Sequence, residues 1–362
     1  MQFKKGLFLS VFACLLGSSI STSASAVENQ EGYLPPFEKG PSIEVLPKEL
    51  QGNSGIDYSP EEQEKILQLQ RMYENLDNDK LPETKYLESP IVGNSGYSLG
   101  VLNQETIENA TKNLNYYRQI AGIHGVDSYD EYDEFSQYAS VGMAATRDQS
   151  HGLVNSTKPE NMSTDFWNKA VQYTNDSVLH SAYQERSFGD HILAYLFDYG
   201  DKNLKVGHRS WLLSHQMSKI GYGYAPAENP TSKDKENYYT AMYIRDNKNT
   251  TVPKNKVVTW PSEGVFPTNL MINSDSKESL RWSAHLNFNG YRVSDDTTIT
   301  LTNTQTNQTW FFSNDVSDGN YLISPSTAGG YYTLMFQPGK PEKPFTYKVG
   351  DLYSVKIEGL TG

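Results

Sequence analysis

The spacing of apolar residues changes once along this chain, and that change constrains the fold more than any other feature. From about residue 60 to 215, apolar residues recur three and four apart, the spacing of one helix face. Past about residue 253 the spacing becomes two. Trp282, Ala284, Leu286 and Phe288 alternate with Arg281, Ser283, His285 and Asn287. Ile299 and Leu301 alternate with threonines, and Tyr353, Val355 and Ile357 alternate with Ser354, Lys356 and Glu358. Gly329-Gly330 and Pro338-Gly339 punctuate these runs. Period two with short strands and regular turns predicts an antiparallel β-sandwich over 253–362. Helices first and strands after predict an α+β chain of about two domains.

The helical half is readable in more detail. Ser59-Pro60-Glu61-Glu62 carries an N-cap serine, a proline at the first helical position and a glutamate three after the cap, which predicts a short helix near 60–76. Ile107, Ala110, Leu114, Tyr117 and Ala121 form a second face, with Gly122 placed to end the helix. Phe135, Tyr138, Ala139, Gly142, Met143 and Thr146 form a third. Further helical stretches cover roughly Asp165 to Tyr173 and Gly189 to Asp198. Ile220 to Ala225 and Asn237 to Ile244 read as strands. These elements define a domain over 99–250. The residues before it, 27–98, read as a flexible leader carrying the one short helix.

The first 26 residues read as a signal peptide. Lys4 and Lys5 precede an apolar run from Leu7 to Ile20, and Ala24-Ser25-Ala26 fits a cleavage site. The expected mature chain starts at Val27 and is secreted. The one cysteine, Cys14, falls inside that leader, with lipidation there as the alternative. The mature chain then forms no disulfide, which points to a bacterial extracellular protein stabilised by its core. No later run is long and apolar enough for a transmembrane segment. The net charge of −12 argues against nucleic acid as a partner and against docking on anionic lipid by charge.

Candidate site residues come from histidine. Gly207-His208-Arg209 places His208 near a helix N-terminus, where the helix dipole favours a neutral imidazole able to act as base or ligand. Gly207 is expected to permit the turn. His151 stands in Ser-His-Gly just after another helix ends. Two histidines from different elements can share a cation, but they supply half of a tetrahedral shell. His191, four before Tyr195 and seven before Asp198, reads as a helix-surface residue, and His180 and His215 as loop or surface. Trp211, Leu212 and Leu213 read as core.

Four stretches in order, LNYYRQIAG, YASVGMAATRDQSHG, VGHRSWLL and KIGYGYA, resemble the landmarks of the CAP superfamily, which covers cysteine-rich secretory proteins, antigen 5 and pathogenesis-related proteins. The likeness spans about residues 105–245 and is nearest to the bacterial, disulfide-free branch. It implies a CAP-type α-β-α sandwich followed by the β-sandwich, which resembles a tail that accompanies this branch. Asn115 and Arg118 match the Asn-x-x-Arg helix. His151 and His208 match the two cleft histidines, which in some members bind zinc or another divalent cation. Asp176 and Asp198 match the positions of the two cleft acids, with Asp201 as a competitor for the latter, although the family's Gly-Glu-Asn is replaced by Asn175-Asp176-Ser177. The expected picture is a shallow acidic cleft. The expected function is a secreted protein binding a cell-envelope component, lipid or peptide. A metal-dependent, peptidase-like hydrolase, in which Asp176 or Asp198 activates water, is one alternative. A structural envelope protein with a vestigial cleft is another.

Overall fold

The computed structural model describes residues 13–15, 58–76, 85–231, 235–246, 253, 256–272, 278–324 and 328–361. The expected leader over 1–26, with its cleavage site, lies outside the described residues except for Ala13–Leu15 (β1), and all of 27–57 lies outside them. Among the described residues no helix is long and apolar enough to cross a membrane.

The chain is α+β. Helix α1 (Pro60–Glu74) begins with the full capping box of Ser59 and Glu62. Two short strands, β2 (Tyr86–Glu88) and β3 (Val101–Leu102), pair with each other, so the expected flexible leader over 27–98 contributes a strand as well as its helix. Then follow α2 (Gln104–Ile120), β4 (Asp127–Ser128), α3 (Asp130–Thr146), a 3₁₀ turn at His151–Leu153, α4 (Thr164–Asn175), β5 (Ser177–Ala182), α5 (Phe188–Phe197), α6 (Gly207–Leu212), β6 (Lys219–Pro226) and β7 (Tyr238–Tyr243). Gly122 sits at φ +70 just past α2, as a helix-ending glycine should.

Strands β4, β6, β7 and β5 form one sheet in that order. Helices cover both of its faces. On one face Ile220, Tyr222, Tyr224 and Met242 join Leu114, Tyr117, Ile192 and Leu196 of α2 and α5 in a single cluster. On the other, Leu179, Ala225, Tyr239 and Ala241 join Ala139, Met143 and Ala170 of α3 and α4. The alternation along β6 explains the Gly-Tyr-Gly-Tyr run. Its tyrosines fill the first face, and its glycines let α3 lie directly on the strand. A Cβ on Gly221 would fall 2.0 Å from the Tyr132 carbonyl carbon, and one on Gly223 would fall 2.2 Å from the Ser136 carbonyl oxygen. That closeness serves hydrogen bonding too. Strand β4 pairs only with Lys219 and Ile220, and beyond it the β6 edge is finished by helix side chains. The N–H groups of Tyr222 and Tyr224 donate to Asp133 Oδ1 at 2.7 Å and Gln137 Oε1 at 2.5 Å. Buried backbone donors thereby keep their partners.

The second unit contains β8 (Val257–Trp260), β9 (Gly264–Phe266), β10 (Trp282–Asn287), β11 (Thr298–Asn303), β12 (Thr309–Phe312), β13 (Gly319–Ser324), β14 (Tyr331–Pro338) and β15 (Tyr353–Glu358). Two antiparallel sheets, ordered β13-β14-β10-β8 and β12-β11-β15, face each other. Aromatic contacts bridge them, with Trp282 against Tyr353 at 5.7 Å and Phe312 against Phe336 at 5.2 Å between ring centroids. Strands β11 and β15 bury alternate residues, as period two requires. Strand β10 is buried on both faces. Its polar residues Ser283, His285 and Asn287 do not meet water. Ser283 and His285 pack against α6 of the first unit, where Arg209 Nη1 donates to Ser283 Oγ at 3.0 Å and Ser210 Oγ lies 3.2 Å from His285 Nδ1. One hydrophobic cluster runs through both units.

Gly223→Ala should lower unfolding free energy by about 3 kcal/mol, since α3 must lift off the strand. Gly207→Ala, where a Cβ meets nothing within 4 Å, should stay within about 0.5 kcal/mol of wild type. Denaturant unfolding of both variants checks this, and equal costs would contradict the close approach of α3 to β6.

Candidate functional site

The structure brings His151 and His208 to one open cleft of about 440 Å³. Both arrive on backbone that L-residues seldom adopt. His151 opens the 3₁₀ turn, followed by Gly152 at φ +71 and Leu153 at φ +49. His208 is the second residue of α6, whose N-cap is Val206 at φ +45. The expected role of Gly207 moves to its neighbour: the buried, β-branched Val206 makes the turn, at a cost of about 1–3 kcal/mol in backbone strain. Asp198, which ends α5, sits at φ +50. Strained non-glycine residues thus hold three edges of the same site.

The hydrogen bonds fix both imidazoles. His208 Nδ1 lies 2.6 Å from Asp198 Oδ1. A carboxylate only accepts, so Nδ1 carries the proton. His151 Nδ1 lies 2.7 Å from the Thr174 carbonyl and by the same reasoning donates to it. Gly152 N–H adds a bond to Thr174 Oγ1 at 3.1 Å. Each histidine is therefore anchored through Nδ1, and among the described residues nothing bonds either Nε2. The Asp198 carboxylate is fully buried while the His208 side chain is 22% exposed. Burial works against the charged His208 ring, but the Asp198 charge and hydrogen bond outweigh it and hold its pKa above the ordinary imidazole value. The dipole argument for a neutral ring at the start of α6 is overridden by that carboxylate.

The two candidate acids part company. Asp198 belongs to the site, but beneath it: Oδ1 takes the His208 ring and Oδ2 accepts from Arg209 N–H at 3.0 Å. It orients the histidine and presents no oxygen to the cleft. Asp176 is the C-cap of α4 and pairs with Arg245, Nε to Oδ1 at 3.1 Å. Arg245 also donates to the Asn175 carbonyl and lies over the Trp211 ring at 4.7 Å. Trp211 is thus half-buried at the cleft wall, whereas Leu212 and Leu213 are core, as expected. Asp201, in a 3₁₀ turn, does not line the cleft.

The expected acidic cleft is corrected by its lining. Lys202, Lys205 and Arg245 line it beside the histidines, and among the described residues no carboxylate does. The sequence signal for two of these was present in Asp-Lys-Asn-Leu-Lys-Val-Gly-His, where both lysines precede His208 by a few residues. Two further lining residues, Ser324 and Thr333, come from the β-sandwich, and no local pattern could have placed them.

Three histidines read as surface or loop lie elsewhere. His191 is fully buried, its Nδ1 2.7 Å from Nδ1 of His180 on β5. Burial lowers both pKa values, to about 4 for His180, with His208 and Arg186 adding to the effect. The pair is neutral, one ring donating and the other accepting. His215 is buried against Tyr331. Spacing along α5 placed His191 on a common face with Tyr195 correctly, but β5 packs on that face and turns it inward.

A divalent cation would find two bare Nε2 nitrogens whose opposite nitrogens are anchored, the outer arrangement that ligating histidines use. The rest of the set does not fit a resident metal. Asp198 uses both oxygens, Asp176 is held by Arg245, and three cations line the space. Among the described residues no group of three His, Cys, Asp or Glu side chains could hold a metal ion, whereas a catalytic zinc takes three protein ligands. Comparison with known proteins finds no matching family model and no matching curated protein, so the site is read from its own chemistry.

Because the folded pKa of His208 exceeds its unfolded value of ~6.5, its proton stabilises the fold fully below that value. The contribution is lost as pH rises through the folded pKa. The stability difference between wild type and His208→Gln should therefore shrink as pH rises above about 6.5. Denaturant midpoints at several pH values measure this, and a pH-independent difference would contradict the Asp198–His208 pairing.

Proposed function

We propose that this chain is a secreted CAP-type binding protein whose ligand occupies the cleft between His151 and His208. Four ordered landmarks support the family reading. Two of them deliver the cleft histidines, and the Gly-Tyr-Gly-Tyr landmark forms the strand under α3. The α+β architecture with a following β-rich unit is consistent with it. The observation that carries the binding role is the disposition of the two rings. Histidines from separate elements line one open cleft, each held through Nδ1 with Nε2 left for a ligand. The expected setting is extracellular, after removal of residues 1–26, with a cell-envelope component as partner.

The metal-dependent hydrolase is the weaker reading. Its best support is the same pair of anchored imidazoles. Against it, among the described residues no carboxylate reaches the cleft to activate water, since Asp198 lies beneath His208 and Asp176 is engaged by Arg245. A lipid ligand fits poorly as well, because few apolar side chains, chiefly Val178, Trp211 and Ile244, reach this cleft.

Zinc titration calorimetry on the purified chain and on His151→Ala/His208→Ala separates the two. The binding reading expects weak zinc binding at most, and no zinc-dependent cleavage of peptide or ester substrates. Tight one-to-one zinc with zinc-dependent turnover, both lost in the double variant, would overturn it in favour of the hydrolase.

A further inference from the structure

The cleft does not end at His208. A second groove of about 390 Å³ shares His208 and Asn203 with it and runs on past His180, Tyr183, Arg186 and Tyr199. The two halves differ in chemistry. The first presents Lys202, Lys205 and Arg245. Among the described residues neither lysine has an ion-pair partner, so both charges are available. In a chain of net charge −12, this is a local reversal of sign that concentrates anions. The second presents two exposed aromatic rings, Tyr183 at 53% and Tyr199 at 40% exposure. Large rings left in water on a groove wall mark a contact surface. The exposed amide of Gln184 also lines this half and offers a donor and an acceptor. Gln149 is engaged by Leu179 and Ser181, and the Glu236 carboxylate lies at the far end, away from the lysines.

We propose that the two grooves form one extended site for an anionic glycan, with its carboxylate or phosphate among Lys202, Lys205 and Arg245 and its neighbouring sugar rings on Tyr183 and Tyr199. Sugars present apolar C–H faces that stack on tyrosine and hydroxyls that pair with amides, while the acid group supplies the charge. His208 sits at the junction, with Nε2 placed to donate to the anion when the ring is protonated. A neutral sugar would use only the second half, and a free anion only the first. This inference rests on the reading of the His151/His208 cleft as the ligand site.

The test measures binding to the full chain by calorimetry. The probes are trigalacturonic acid, maltotriose 6-phosphate, neutral maltotriose and inorganic phosphate. The first two distinguish a carboxylate from a phosphate source. At least one acidic trisaccharide should bind at least tenfold more tightly than maltotriose. Lys202→Gln/Lys205→Gln should weaken it by roughly tenfold. Tyr183→Ala/Tyr199→Ala should weaken the acidic trisaccharide while leaving inorganic phosphate unchanged. All four side chains are partly or largely exposed, so thermal melts should match wild type. Phosphate binding that depends on the lysines, without any gain from an attached sugar, would overturn the extended site and leave the cleft reading intact. No binding of any acidic probe, or equal binding of acidic and neutral trisaccharides, would overturn the anionic-glycan site, whereas the cleft reading is overturned only by the zinc result given above.

Discussion

The structure around the cleft depends on one buried carboxylate. Asp198 ends α5, receives the His208 ring on one oxygen and the Arg209 N–H on the other. Its own carbonyl accepts from Arg281 of the β-rich unit. A fully buried anion is costly unless paired and fully hydrogen-bonded. Here the carboxylate is compensated by the His208 ring and the Arg209 N–H, and two buried arginine side chains around it join parts of the chain far apart in sequence. Arg209 donates to the carbonyls of Leu196 and Arg281 at 2.6 and 2.7 Å. Arg281 reaches the Gly200 carbonyl at 3.0 Å. The helix end, the start of α6 and the residue leading into β10 are thus tied through Asp198 and two arginines.

That tie changes the meaning of the β-rich unit. Strand β10 is not the surface of a separate sandwich. Its polar face is the floor on which α6 rests, with Ser210 between His285 and Thr333. Ser214 donates to the Gly329 carbonyl at 2.7 Å, and the His215 N–H donates to Tyr331 Oη at 2.7 Å. Through these contacts the second unit sets the position of His208 and supplies Ser324 and Thr333 to the cleft wall. The unit is part of the site's support.

Much of this was legible in the sequence. Apolar period gave the helices and the alternating strands because one buried face repeats at a fixed interval. The Gly-Tyr-Gly-Tyr run identified a strand, although only the structure reveals that its glycines admit a helix backbone. His151 and His208 were identifiable as cleft residues from turn chemistry and ordered landmarks. What was not legible is what depends on distant partners. The face of α5 carrying His191 is buried because β5 covers it. Period two separated Ser283, His285 and Asn287 from the apolar face of β10, and only the structure shows α6 packed on that polar side. Asp176 and Asp198 look alike in sequence, and their roles are separated by Arg245 on one side and Arg209 on the other. The sign of the cleft followed from that separation, since both acids are withdrawn and the lysines remain.

The account stands on His208 being held by Asp198 with its Nε2 turned to the cleft. Long-range proton–nitrogen NMR of the imidazole at a pH where the ring is neutral reads this directly. The expected tautomer carries hydrogen on Nδ1 and leaves Nε2 bare. Hydrogen on Nε2 would mean that Asp198 does not hold the ring, and the assignment of this cleft as the ligand site would lose its footing.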